Sequence, residues 1–296
     1  MVLPRRALAS LLLVVVTGLT GLTPVTFCSA AEARQERPAA TAAPRDQRAA
    51  DDLSVEEKET FLRRAKIVRT RPIGTGVTGS LRATLSDGTT THDAQIQGVD
   101  INRARFDAGP KTEFNFRDSY RFNIAGYRLA RLIGLKNVPI SVNRDVGGKP
   151  VAMTWWIDDV AMDERQRVER QAAGPGVRFA TQVQLMRVWD ELIQNRDRNQ
   201  GNMLCAKDCT WWLIDHTRAF RDGKELLHPD QLTRIGRGFL ARLRALNAGS
   251  VAAELTKDRA LTKVEAAAVV GRRDLLVTHY DDRIRRLGEA AVLFDD

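Results

Sequence analysis

Asn195-Arg196-Asp197-Arg198-Asn199-Gln200-Gly201-Asn202-Met203-Leu204, followed after a turn by Trp211-Trp212-Leu213-Ile214-Asp215-His216-Thr217-Arg218-Ala219-Phe220, is the most informative stretch of the 296 residues. Upstream, Leu185, Met186, Trp189, Leu192 and Ile193 recur at helical spacing and mark a helix that stops near Asn195. Two apolar strands flank the turn Ala206-Lys207-Asp208, which predicts a hairpin running from Cys205 to Cys209. Asp215 stands at the end of the second strand, where its carboxylate can emerge into a cleft. Asp197, Asn202 and Asp215 together offer the carboxylate and amide oxygens that hard cations such as magnesium and manganese prefer to nitrogen or sulfur.

That chemistry points to phosphoryl transfer. The reaction needs little covalent help. It needs a carboxylate to orient the acceptor and oxygen ligands to hold a metal on the nucleotide phosphates. Asp197 and Asn202 stand five apart, the offset between base and metal-binding amide in kinase catalytic loops. Far upstream, Gly74-x-Gly76-x-x-Gly79-x-Leu81 has the spacing of a loop that covers nucleotide phosphates. A dinucleotide fold would need a helix opening at the third glycine, whereas the chain after Gly79 reads as a strand. An ordinary glycine-rich hairpin is the alternative.

Between these two motifs the elements follow a simple order. Ser54-Val55-Glu56-Glu57 is a capping box that opens a helix to about Lys66. Strands are predicted over 67–73, 80–85 and 90–99, the second ending in the hairpin signal Asp87-Gly88. Asp118 is positioned to cap the next helix and Gly134 to end it, with Phe122, Ala125, Leu129, Leu132 and Ile133 on one face. Two more strands surround Gly147-Gly148, the second running into Met153-Thr154-Trp155-Trp156-Ile157. After Asp158-Asp159 the character becomes helical, with helices over 231–246, 261–270 and 271–288.

Asp197-Arg198-x-x-x-Asn202, a hairpin, then Leu213-Ile214-Asp215 resembles the core shared by phosphoinositide kinases, bacterial toxin–antitoxin serine kinases and secretory-pathway casein kinases. The last group is the nearest in pattern through Asp215-x-x-Arg218-x-Phe220. It is also similar upstream, in Ile124-Ala125-Gly126-Tyr127-Arg128-Leu129 and in Leu132-Ile133-Gly134-Leu135 with Val138-Pro139. The resemblance covers residues 67–220. It implies a two-lobed α+β protein-kinase-like fold, with a small antiparallel-sheet N-lobe plus one helix over 53–157 and a mainly helical C-lobe over 158–296. It further implies Asp197 as the base, Asn202 and Asp215 on Mg or Mn, Gly74, Gly76 and Gly79 over the phosphates of ATP or another nucleotide, and Ile157 with Asp158 at the hinge. Two positions depart from the pattern. Gln97, with Gln95 on the same strand face, stands where the family has a phosphate-binding lysine, and Asn123 where it has a helix glutamate. Lys111, on a predicted loop beside Pro110, is a poor substitute. An amide pair in place of an ion pair raises the alternative of a pseudokinase that binds a nucleotide or a partner. The acceptor, a protein or a small molecule, is not specified.

The rest of the chain sets the context. Arg5 and Arg6, an uncharged apolar run over 7–22 and the small residues Ser29-Ala30-Ala31 form an export signal over 1–33, cleaved after Ala31 or Ala33, and predict a periplasmic or secreted protein. The run is short for a retained span of about 20 residues, and no later segment is apolar enough to cross a bilayer. Lipidation at Cys28 is the lesser alternative, since Phe27 before it is bulky for that cleavage. Residues 34–52 read as a disordered spacer. The net charge is +9, and removing the signal with its two arginines and one acid leaves +8. Arginines lie among acids without interleaved aromatics, so no specific nucleic-acid binding is expected. Cys205 and Cys209 lack the further ligands of a zinc site and read equally as a disulfide across the hairpin or as two thiols. His216 beside Asp215 reads as structural, because neighbours on a strand face opposite ways. Trp155, Trp156, Trp211 and Trp212 read as core and cleft walls.

Overall fold

Local signals near the start are honoured closely. In the computed structural model, which describes residues 48–74, 79–108, 111–172, 177–208 and 210–296, Ser54 caps α1 (Val55–Arg64). The Ser54 hydroxyl accepts from Glu57 N (3.2 Å), and the Glu57 carboxylate accepts from Ser54 N (2.7 Å). The export signal, Cys28, Gly76 and Cys209 lie outside the described residues, as does the spacer up to residue 47. The last spacer residues do have structure. Ala50–Asp52 form a 3-10 turn, and Arg48 pairs with Glu57 (2.6 Å).

β1 (Lys66–Pro72), β2 (Leu81–Ser86) and β3 (Thr91–Gln97) follow as antiparallel neighbours. Asp87 Oδ1 accepts from the amides of Thr89 (2.9 Å) and Thr90 (2.8 Å) and so closes the predicted hairpin. Next comes a ribbon absent from the sequence reading, β4 (Asp100–Ala108) with β5 (Lys111–Ser119), which pair only with each other. Lys111 therefore begins a strand rather than sitting in a loop.

Asp118 is likewise a strand residue, paired with Ile101, and does not cap α2 (Arg121–Leu132). The N-cap is Tyr120, without a side-chain cap bond, because the chain passes straight from β5 into the helix. Gly134 ends α2 at φ +65°, as expected of the left-handed residue after a helix. Phe122, Ala125, Leu129 and Ile133 are buried, but Leu132 turns out to solvent, 37% exposed.

β6 (Ser141–Val146) and β7 (Lys149–Trp155) close around Gly147 and Gly148, both at positive φ, and complete a sheet of order β1-β2-β3-β7-β6. Strand alternation gives this sheet two characters. Ala83, Leu85, Ala94, Ile96, Val151 and Met153 pack on Phe61 and Leu62 of α1. Asp93, Gln95 and Gln97 alternate to the other face.

β8 (Val160–Asp163) and the short α3 (Glu164–Glu169) precede α4 (Val177–Ile193), so the helical lobe begins with a strand not anticipated above. β9 (Met203–Ala206) and β10 (Trp211–Leu213) form the predicted hairpin, and β8 joins them in the order β10-β9-β8. β11 (Ile235–Gly236), α5 (Arg237–Ala245), α6 (Ala248–Thr256), α7 (Lys263–Leu287), α8 (Glu289–Val292) and β12 (Leu293–Phe294) complete the chain, with β12 parallel to β11. The helix expected over 231–246 is shorter, because Pro229–Gln231 form a 3-10 turn before β11. The helices expected over 261–270 and 271–288 are one. Gly271 does not break α7. The stem of Lys224 lies against it, and a Cβ there would come within 3.1 Å of Lys224 Cγ. A second core joins α2, α4, the β9–β10 hairpin and α5–α7. The result is a two-lobed α+β protein, with a sheet and helix before residue 157 and mainly helices after it. No described helix is long and apolar enough to cross a membrane.

Candidate active site

α4 ends in a Schellman motif. Gln194 N donates to Glu191 O (3.1 Å) and Asn195 N to Asp190 O (2.8 Å). Glycine is usual at the left-handed position, but here it is Gln194 at φ +50°. Its carboxamide donates to the backbone and carboxylate oxygens of Glu225 (3.2 and 3.0 Å), which offsets the cost of that backbone.

The loop that follows is held by Arg198. Its guanidinium forks onto Asp190 (both bonds 3.0 Å) and donates to the carbonyls of Asn202 (2.9 Å) and Ile214 (2.7 Å). Ile214 N in turn donates to Asn202 O (3.1 Å). One buried arginine thus brings Asn202 and the strand end carrying Asp215 side by side. Asn202 Nδ2 donates to Asp197 O (3.1 Å), which leaves the amide oxygen as the end open to a cation. The Asp197 carboxylate is half-exposed, 3.5 Å from Arg218. Arg218 also pairs with Glu113 of β5, as does Arg221 (2.7 Å), so the ribbon missed in the sequence is anchored to this segment. Burial lowers the Arg221 pKa to about 10. Asp215 has φ +53°, and its Oδ1 accepts from the Thr217 hydroxyl (2.9 Å).

Asp118 lies near Asp215 and Asp197, although its sequence position suggested a helix cap. It is buried, 8% exposed, and its Oδ1 has no hydrogen-bond partner among the described residues. Burial first, and then the nearby charges of Asp215 and Asp197, push its pKa up. The one sequence signal was an acid ahead of a helix, and that signal carries an ordinary explanation.

The two departures from the kinase pattern bond to different partners. Gln97 is buried, and its Oε1 accepts from Ser80 Oγ (3.0 Å). Asn123 Oδ1 accepts from His216 N (2.7 Å), fastening α2 directly behind Asp215. Of the glycines, Gly79 has φ +64°, and a Cβ at Gly74 or Gly79 would meet nothing within 4 Å among the described residues. Ile157 is half-buried just beyond β7. Beside it lies a cluster not anticipated above. The Arg82 guanidinium stacks 4.1 Å from the Trp156 ring and pairs with Asp93 (2.5 Å), and His92 meets Asp158 (2.7 Å).

His216 is structural. It is fully buried, accepts from Trp189 Nε1 (3.1 Å), and burial holds its pKa far below the usual histidine value. Gly126 of α2 gives it room, because a Cβ there would lie 3.3 Å from the His216 ring. Gly126→Val should therefore cost about 1–3 kcal/mol through overpacking. Urea denaturation would show it as a lowered midpoint, and a midpoint equal to wild type would mean that the ring moves aside freely.

Among the described residues, no three His, Cys, Asp or Glu side chains form a ready-made metal cluster. Asp215 and the Asn202 amide oxygen nevertheless suit a hard cation whose other ligands are phosphate and water oxygens. The unpartnered, buried oxygen of Asp118 lies near Asp215.

No protein-family model and no curated protein sequence matches the chain. Solved structures do match in fold. Hydra Fam20, determined with sugar, has a TM-score of 0.63 at 15% identity, covering 86% of this chain and 96% of that one. The Golgi casein kinase with Mn and ADP bound has a TM-score of 0.60 at 14% identity, covering 82% and 80%. A second structure of the Golgi casein kinase has a TM-score of 0.58 at 14% identity, covering 82% and 78%. The fold is kinase-like.

Proposed function

We propose that this chain is an exported, metal-dependent phosphotransferase that moves phosphate from a nucleotide to a hydroxyl acceptor. The observation that carries this reading is the junction made by Arg198, which holds the Asp197–Asn202 loop against the strand end bearing Asp215. Asp197 is the residue exposed enough to meet an acceptor hydroxyl and orient it. Asp215 and Asn202 hold the cation, and Gly74–Gly79 covers the phosphates. Bound metal would supply neutralisation of phosphate charge. The structural similarity to a kinase described with Mn and ADP supports that choice of cofactor.

A second reading rests on Gln97 and Asn123. With neutral amides where the kinase pattern has charges, the cleft could hold a nucleotide without turning it over. One experiment separates the two. Wild type is incubated with manganese and γ-labelled ATP, and phosphate release or transfer is compared with that of Asp197→Asn. A positioned acid–base group contributes about 10²–10⁴-fold. The expected result is loss of turnover by at least about 100-fold in Asp197→Asn, with nucleotide-dependent stabilisation retained. Wild-type stabilisation without any turnover would instead favour the binding-module reading. Turnover unchanged in Asp197→Asn would remove Asp197 from the reaction.

A further inference from the structure

Helix α2 brings no carboxylate to the site. Asn123 is neutral, and its oxygen is already used by the His216 amide. The strand before that helix does bring one. Asp118 is held in place by strand pairing to Ile101 and by the next residue, whose Ser119 N donates to Thr217 O (2.8 Å). Its backbone cannot move away without breaking the ribbon.

The Thr217 hydroxyl stands between two carboxylates. It donates to Asp215 Oδ1 at 2.9 Å and also lies close to the Asp118 carboxyl. A hydroxyl has a single proton to give, so one carboxylate is left short. Asp118 Oδ1 is the atom left without a partner, in a residue more than nine-tenths buried. The nearby cations do not remedy this. Arg218 bonds to Glu113 and Asp197, and Arg221 to Glu113 and the carbonyls of Asn115 and Arg117, and although the Nε of each is buried without a partner, neither donates to Asp118. A purely structural carboxylic acid would give its proton to an acceptor, and that oxygen meets none. Two acids around one hydroxyl, one of them buried with an oxygen unsatisfied, suit an added cation.

We infer that Asp118 is a second carboxylate ligand of the divalent cation anchored by Asp215, supplied from strand β5 in place of a helix carboxylate at Asn123. This rests on the metal–nucleotide reading above. Two carboxylates with one amide leave the remaining positions to phosphate and water oxygens, as expected of Mg or Mn.

The test is manganese binding rather than turnover. Free Mn²⁺ is followed by electron paramagnetic resonance during titration of the protein with ADP present, for wild type, Asp118→Asn and Asp215→Asn. Melting is recorded in metal-free buffer. Asp118→Asn should weaken manganese binding at least tenfold and melt no lower than wild type without metal, since an unpartnered charge has gone. Asp118→Ala provides a second variant with the same expected loss of affinity. A scaffold role would give the reverse pattern, a lowered metal-free melting temperature with manganese affinity intact, and would overturn the inference. Wild-type affinity in Asp118→Asn alongside loss in Asp215→Asn would also overturn it, while leaving the metal–nucleotide reading standing. Failure of wild type itself to take up manganese with ADP would overturn both.

Discussion

In manganese and ATP, the melting temperature of the wild-type chain should rise, and that of Asp215→Ala should not move. A ligand that binds only the folded state adds stability set by its concentration over Kd, about 2.7 kcal/mol at a hundredfold excess. At about 2–4 °C per kcal/mol for a domain of this size, the wild-type shift should be about 5–10 °C. Asp215 sits at φ +53°, a backbone that aspartate and asparagine tolerate better than alanine. The alanine variant should therefore also melt somewhat lower without ligand, by the equivalent of about 1–2 kcal/mol. Asp215→Asn separates the two effects. It keeps a side chain suited to that backbone and loses only the charge, so its ligand-free melting should stay near wild type while its shift falls. A full shift in Asp215→Asn would show that the cation is held elsewhere.

The parts of this architecture that the sequence revealed are those governed by short-range chemistry. The capping box at Ser54, the hairpins at Asp87-Gly88 and Gly147-Gly148, and the stop at Gly134 each depend on a few adjacent residues. The Asp197–Asn202 loop and Asp215 were legible for a different reason. The chemistry proposed for them fixes residue types at fixed offsets, and a 3-10 turn over Gln200–Asn202 with one hairpin is all that separates them.

What the sequence hid is set by distant contacts. The β4–β5 ribbon mixes charges with aromatics because it pairs only with itself, leaving Phe114 70% exposed, so it carries no clean alternation. Gly271 suggested a helix boundary, but its place inside α7 is explained by Lys224, forty-seven positions away in sequence (271 less 224). Asp118 was hidden by ambiguity, since an acid before a helix is the usual sign of a cap. Only the pairing of β5 and the approach of Thr217 make it part of the site. Arg198 was visible as a letter in the motif. Its work as the clamp between Asn202 and Ile214 was not, because main-chain carbonyls leave no trace in composition.

Arg272→Ala should be among the most damaging single substitutions outside the site. Arg272 lies in α7 with no exposed surface. Its Nε donates to Leu192 O (2.9 Å), and its Nη1 to Arg221 O (3.1 Å) and to Gly223 O. Among the described residues no carboxylate bonds to it, although Glu225, Glu191 and Asp222 lie near. Burial brings its pKa down to about 10, so it remains charged at neutral pH with carbonyl oxygens as its bonded partners. Those carbonyls belong to the last turn of α4 and to the chain beyond Asp215, the two ends of the stretch that forms the site. Hydrogen bonds from a charged donor contribute about 1.5–3 kcal/mol each, and carbonyls left buried without a donor add a further cost. A loss of about 3–5 kcal/mol is expected, a large share of the roughly 5–15 kcal/mol that holds a domain together. Arg272→Lys should recover only part of it, because an ammonium is a point donor and cannot reproduce a planar fork spanning three carbonyls. Urea denaturation of the three proteins should rank them wild type, Lys, Ala, and the manganese–ATP melting shift should weaken in the same order as the loop loses its support. A lysine variant as stable as wild type would mean that charge alone, rather than the fork, joins α7 to the active-site segment.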